Sequence, residues 1–243
     1  MKIDQLAEHL TIWIKDTVIS AGCNGVVFGM SGGIDSSVLA ILCRKSFPGT
    51  CLGIIMPCIS DKKDRLHAEM IAKQYSISTR LVVLDDIYNN LLTILSGDEI
   101  SSTMGRLAKS NIKPRLRMLV LYYFANQLNY LVVGSSNRCE LYIGYFTKHG
   151  DGAVDVAPLA NLVKTQIRQL ALYLGISDEI INKPPSAGLW KGQTDEQEME
   201  LTYDQLDKYI LTGKSTNKIK NRIEILAKRN LHKSISPIIP PVF

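Results

Sequence analysis

The segment Ser31-Gly32-Gly33-Ile34-Asp35-Ser36-Ser37 stands between the apolar run Val26-Val27-Phe28 and a stretch of helical periodicity, Ile34 to Ser46. A strand that feeds a helix through two glycines leaves few folds open. The first turn of a helix has unpaired N–H groups and the positive end of the helix dipole, which together bind phosphate. Gly32 and Gly33 let oxygens approach the main chain closely, and the hydroxyls of Ser31, Ser36 and Ser37 add donors. Asp35 would repel phosphate, so its carboxylate is read as a ligand of Mg²⁺ that neutralises the phosphate charge. The plainer alternative is a Gly-Gly turn with Asp35-Ser36 capping the helix. Seven residues in this order, with strand before and helix after, favour the phosphate loop. The terminal Gly-Lys-Ser/Thr of a Walker A loop is missing, and so is the G-x-G-x-x-G dinucleotide fingerprint.

The rest of the chain alternates in the same way. Ile3, Leu6, Ala7, Leu10, Ile14 and Val18 recur at helical spacing, and Trp13 is assigned to that helix's apolar face. Strands are predicted at Cys51–Met56, Thr79–Leu84 and Tyr130–Val133, and helices over 61–75, 114–128 and 163–174. His9 and His67 are read as exposed helix residues. Residues 85–111 mix apolar stretches with Gly97, Ser101-Ser102 and Gly105 and are expected to be partly mobile. The same holds for the Pro/Gly-rich segment Lys183 to Thr194. Two helices, near Tyr203–Leu211 and Lys218–Arg229, end the pattern. Alternation predicts an α/β fold with an open, mostly parallel sheet covered by helices on both faces. The whole of 1–243 is taken as one domain, with a core of about 20–180 and a helical C-terminal extension of about 181–243 packed on it.

Composition narrows the function classes. Lys and Arg number 28 against 23 Asp and Glu, a net charge of +5. That excess attracts small polyanions and is too small to argue for nucleic acid. Five scattered cysteines form no C-x-x-C pair and no metal spacing, which fits reduced thiols in a cytoplasmic protein. Neither a signal peptide nor an apolar run of membrane-spanning length is apparent, so no membrane partner is expected.

Ser-Gly-Gly-x-Asp-Ser opening a helix resembles the pyrophosphatase loop of the N-type ATP pyrophosphatases, the adenine-nucleotide α-hydrolase-like enzymes. Four further segments resemble the ammonia-dependent NAD synthetase family. They are Asn111-Ile112-Lys113-Pro114-Arg115-Leu116-Arg117-Met118; Gly134 to Glu140 with Gly144 to Gly152; Asp155-Val156-Ala157-Pro158-Leu159 with Lys164; and Pro185 to Trp190 with Gly192 to Glu196. The resemblance runs from about Gly29 to His232. Pro114, Ser135, Cys139 and the residues after Lys233 depart from the usual pattern.

The resemblance implies ATP-dependent amidation of deamido-NAD⁺ by ammonia through an adenylate, giving NAD⁺, AMP and pyrophosphate. It implies that Gly29, Met30, Ser31, Gly32, Gly33, Ile34, Asp35, Ser36, Ser37, Ser135, Lys164 and Ser186 bind ATP, with Asp35 and Lys164 catalytic. Asp35 and Glu140 would hold Mg²⁺. Arg115, Lys148, Asp155, His232 and Lys233 would contact deamido-NAD⁺. A homodimer is implied, built on the first helix and the Met118–Phe124 stretch, and ammonium is the expected donor because no glutaminase domain precedes the loop.

On their own terms these residue types fit. Two carboxylates can share a cation with phosphates, lysines neutralise a dinucleotide, and Arg115 can grip phosphate or carboxylate with both arms. Taken singly, Lys148 and Lys164 would be ordinary surface lysines. Arg117 faces away from Arg115 and is read as pairing with a carboxylate, and Trp190 is equally a packing residue or a ligand contact. The rivals are a tRNA-modifying relative, which would need a basic surface and often a cysteine pair, and a nucleotide sensor without catalysis, which would have little need of both Asp35 and Glu140.

Overall fold

The computed structural model describes residues 1–95, 103–190 and 192–241. Four strands, β1 (Gly25–Gly29), β2 (Cys51–Ile55), β3 (Ser78–Leu81) and β4 (Tyr130–Val132), form one all-parallel sheet in the order β3-β2-β1-β4. Side chains alternate along each strand, so β1 divides between two cores. Val26 and Phe28 enter one, and Val27 enters the other.

The first core is closed by α1 (Ile3–Ser20), α2 (Ile34–Ser46), α3 (Lys62–Gln74), and further along the chain by α8 (Lys164–Tyr173) and α9 (Asp178–Ile181). The opposite face carries α4 (Asp85–Leu95), α5 (Thr103–Ser110) and α6 (Ile112–Leu128), of which α4 and α6 supply Tyr88 and Ala125 to the second core. After β4 come α7 (Arg138–Ile143), α8 (Lys164–Tyr173), α9 (Asp178–Ile181), α10 (Asp195–Met199), α11 (Tyr203–Thr212) and α12 (Asn217–Asn230). Helices thus cover both faces, as alternation predicts.

The strand order reverses between β1 and its two neighbours. The chain leaves β1 toward β2 on one side, while β4 lies on the other. Loops leaving β1 and β4 therefore diverge, and the crevice between them is where open α/β sheets bind ligands. The phosphate loop follows β1, and Gly134 to Asn137 follow β4.

The terminal helices form a third core. Tyr203 and Leu206 of α11 and Ile223 and Leu226 of α12 pack with Cys139 and Ile143 of α7 and with Val163. The extension is therefore built around α7, whose residues belong to the crevice.

Residues 85–95 and 103–110 are helical, with Tyr88 and Leu92 of α4, and Leu84 just before it, facing the second core; Gly97 and Ser101-Ser102 lie outside the described residues. Three expectations need correcting. β3 ends at Leu81, three residues early. Trp13 is 47% exposed, because the buried stripe of α1 runs through Ala7, Ile14 and Val18, and Trp13 lies a full 100° from Ile14. His67 is only 7% exposed, since it shares the inner face of α3 with Ala68, Ile71 and Ala72; its Nε2 lies 3.1 Å from Glu179 Oε1.

Leu206 is fully buried at the centre of the third core. Leu206→Ala should lower the free energy of unfolding by about 2–5 kcal/mol, measured by urea titration. A loss below about 1 kcal/mol would mean that the terminal helices are not folded cooperatively with the sheet.

Candidate active site

The phosphate loop owes its path to Gly32. Its φ is +74°, and a Cβ there would fall 2.1 Å from the Asp64 carbonyl oxygen on α3. Any side chain would be strained and would collide with the main chain, so glycine is obligatory. Gly33 is the N-cap of α2, and no side chain caps the helix. The loop hydroxyls instead brace the turn. Ser31 Oγ donates to Ser36 Oγ at 2.9 Å, while Ser36 and Ser37 donate to the Gly33 carbonyl at 3.0 and 2.9 Å.

Asp35 leaves the loop altogether. Its carboxylate accepts a 3.0 Å hydrogen bond from Asn137 Nδ2 and is ion-paired with Lys164 Nζ, so it does not cap α2. This pair is deeply placed, with the side chains 2% (Lys164) and 17% (Asp35) exposed. Lys164 also stands 4.8 Å over the ring of Tyr203. Burial opposes its charge, but Asp35 and Glu140 outweigh that and hold the ammonium above its ordinary pKa.

Asn137 does two jobs. It is the N-cap of α7 and completes a capping box with Glu140: Glu140 N donates to Asn137 Oδ1 at 3.0 Å, and Asn137 N donates to Glu140 Oε2 at 3.1 Å. The other Glu140 oxygen lies 3.3 Å from the Tyr203 hydroxyl, which is also 3.0 Å from Asp195 Oδ2. Burial first, then the neighbouring Asp35, push Glu140 up to about 8. Asp35, Glu140 and Asp195 thus surround a single buried lysine. Such a surplus of acid suits a divalent cation, and Asp35 and Glu140 are the residues that would hold it. Among the described residues no group of three or more His, Cys, Asp or Glu is placed to hold a metal ion.

Asp195 also reaches the Pro/Gly-rich segment. Its Oδ1 accepts from Ala187 N at 2.9 Å, next to Ser186, whose hydroxyl accepts from Gly188 N. Lys183 forms an ion pair with Asp64 beneath the phosphate loop. From the other side Lys113 Nζ donates to the Leu189 carbonyl at 2.9 Å, and the Arg106 guanidinium lies 5.4 Å from the Trp190 ring. A side chain of α5 thus stands beside Trp190 and joins the two stretches expected to be mobile. Ser135, half-buried, sits in the loop that leaves β4.

Four of the five residues assigned to the dinucleotide converge elsewhere. Both Arg115 Nε and Nη2 donate to the Lys148 carbonyl at 3.3 Å, and Lys148 Nζ donates to the His232 carbonyl at 2.7 Å. Lys233 Nζ donates to the Gly144 and Phe146 carbonyls at 2.8 and 2.9 Å, and burial lowers its pKa. Asp155 stands apart at the end of β4, accepting from Val132 N and the Tyr122 hydroxyl. Among the described residues Arg117 has no carboxylate partner in hydrogen-bond contact; it donates to the Met56 carbonyl and Ser60 Oγ, which fixes the segment after β2. Asn137, Asp195 and Tyr203 had no role in the sequence reading. Only Asn137 carried a local signal, its three-residue spacing to Glu140.

The profile described as NAD synthase matches residues 6–239. The NH(3)-dependent NAD(+) synthetase of Carboxydothermus hydrogenoformans is 45% identical over 237 residues, covering 98% of this chain and 97% of that one. Among solved structures, the NMN synthetase from Francisella tularensis superposes with a TM-score of 0.93 at 35% identity over 100% of both chains. The NH3-dependent NAD synthetase from Campylobacter jejuni gives 0.80 at 26% identity, over 99% of this chain and 100% of that one. With the match extending over nearly the whole sequence, this chain belongs to the NAD synthase family.

Proposed function

We propose that the protein amidates deamido-NAD⁺ with ammonia at the expense of ATP, in the cytoplasm. The observation that carries this is the convergence of Asp35, Lys164, Asn137 and Glu140 at the mouth of the phosphate loop. In the first step a nicotinate carboxylate oxygen attacks the α-phosphorus, and the bond to the β-phosphate oxygen breaks with its electrons, releasing pyrophosphate. The α2 N–H groups and the loop hydroxyls cradle the departing phosphates, and Lys164 neutralises the charge that develops on them. Mg²⁺, held by Asp35 and Glu140, would supply further charge neutralisation. In the second step ammonia attacks the acyl carbon, AMP leaves, and the nitrogen loses a proton. Arg115, Lys148 and His232 orient the dinucleotide. Leu189 and Trp190, joined to Lys113 and Arg106, shield the adenylate from water.

A second reading follows from the Francisella tularensis structure: nicotinate mononucleotide would be the acyl substrate, giving the mononucleotide amide. Pyrophosphate release with ATP, Mg²⁺ and ammonium, measured separately with deamido-NAD⁺ and with nicotinate mononucleotide, decides between the two. The expected result is a higher kcat/KM for the dinucleotide and little activity with glutamine in place of ammonium. A higher kcat/KM for the mononucleotide would establish the second reading, and no release with either would overturn both.

Asp35→Asn keeps the side chain's shape and removes its charge. Turnover should fall roughly 100-fold or more, with a folded protein by circular dichroism. Near-normal turnover would reduce Asp35 to a structural partner of Lys164.

We also propose a homodimer. Leu119 and Tyr123, one turn apart on α6, are 62% and 60% exposed, and Ile12, Trp13 and Ile19 of α1 are exposed as well. Light scattering at micromolar concentration should report twice the chain mass, and Leu119→Glu with Tyr123→Glu should shift it toward the monomer. A monomer with full activity would contradict this assembly.

A further inference from the structure

Asp207 is a buried carboxylate on α11 that takes no part in the chemistry above, yet every bond it makes leads back to the crevice. Oδ1 accepts from Lys164 N at 3.1 Å and from Cys139 Sγ at 2.9 Å. Oδ2 accepts from Thr165 N at 2.7 Å and from Thr165 Oγ1 at 2.6 Å. It is 4% exposed, and among the described residues no cation is one of its hydrogen-bond partners. A buried carboxylate without a cation is costly unless its lone pairs are filled, and here four donors fill them.

The reason for its place lies in α8. That helix begins at Lys164, and its N-cap is Val163, whose side chain offers no capping oxygen to the helix N–H groups. The first two N–H groups of α8 are satisfied from outside, by a carboxylate 43 residues further along the chain. A negative charge against a helix N-terminus is also favoured by the helix dipole. Cys139, beside Glu140, is held in its neutral form by burial and then by Asp207, so the thiol remains the donor.

We propose that Asp207 is a positioning residue for the pyrophosphate-releasing step: it anchors the first turn of α8 and thereby fixes where Lys164 delivers its ammonium. The inference rests on the reading of Lys164 given above. Tyr203, on the same helix, faces the Lys164 ammonium while Asp207 holds the Lys164 main chain. One turn of α11 thus constrains both ends of the lysine.

The test compares kcat and KM for ATP in Asp207→Asn, Lys164→Ala and the double variant, each at a temperature where thermal melts show it folded. Asp207→Asn removes the charge and one acceptor from α8. We expect kcat to fall about 10–100-fold with KM for ATP changed less than about twofold, as for residues that orient a reacting group from behind. In the Lys164→Ala background the same substitution should lower kcat less than about twofold, because the group it positions is gone. Thr165→Val, which keeps the shape and removes one bond to Oδ2, should show the same signature at about threefold, and it carries the test if Asp207→Asn does not fold. A lowered melting temperature with unchanged kcat in the folded variants, or a full penalty in the Lys164→Ala background, overturns the inference alone. Normal kcat in Lys164→Ala overturns the reading of Lys164 and the inference with it.

Discussion

The buried ion pair of Asp35 and Lys164 is the contact on which the crevice depends. It joins the first turn of α2 to the first turn of α8 across 129 residues of sequence. Removing either partner would strand a charge in a poorly solvated place, which is far more costly than losing an exposed pair. The pair therefore tolerates little variation in the spacing of the two helices. Asn137 adds the third side by tying the loop after β4 to the same carboxylate. Three segments that leave the sheet in different directions are thereby held at one point.

The substrate side is built differently. There the cations face neutral carbonyls: Arg115 that of Lys148, Lys148 that of His232. Hydrogen bonds to neutral oxygens are weaker than those to phosphate or carboxylate. On the proposed reading, an incoming dinucleotide would exchange these partners at a net gain, whereas the Asp35–Lys164 pair resists exchange. The crevice has one wall that is fixed and another that is held by replaceable bonds.

This contrast also explains which features could be read from the residues alone. The phosphate loop, the first three helices and the β1–β2 pairing depend on periodicity and glycine placement, which are local. Asn137 and Glu140 follow the spacing of a capping box and were legible in principle. The burial of His67 is carried by its i, i+4 relation to Ile71, which its polarity masks. The exposure of Trp13 follows from its angle on α1, 100° from Ile14, which its apolar character alone does not reveal. Tyr203 reaches Glu140 and Asp207 reaches Cys139 and Lys164 across 43 to 68 residues of sequence, through contacts made only once α11 packs on α7 and α8. No short window of sequence contains that relation. Gly97, Ser101 and Ser102 between them, and Gly105 in the second, obscure the helices of 85–95 and 103–110, whose stability comes from docking against the second core or against α6.

Gly144 closes against the side chain of Asn230, and Asn230 and Lys233 in turn bond the carbonyls of Ile143, Gly144 and Phe146. These partners come from the final stretch of the sequence, as do the helices that seat α7 and α8. A polypeptide is made from its N-terminus, and its sheet can pair while later residues are still being added. The sheet and phosphate loop of a nascent chain would thus exist before the parts that bring Lys164 and Lys148 into position. A growing chain would have the outline of the proposed nucleotide site before the residues proposed to complete it are in place.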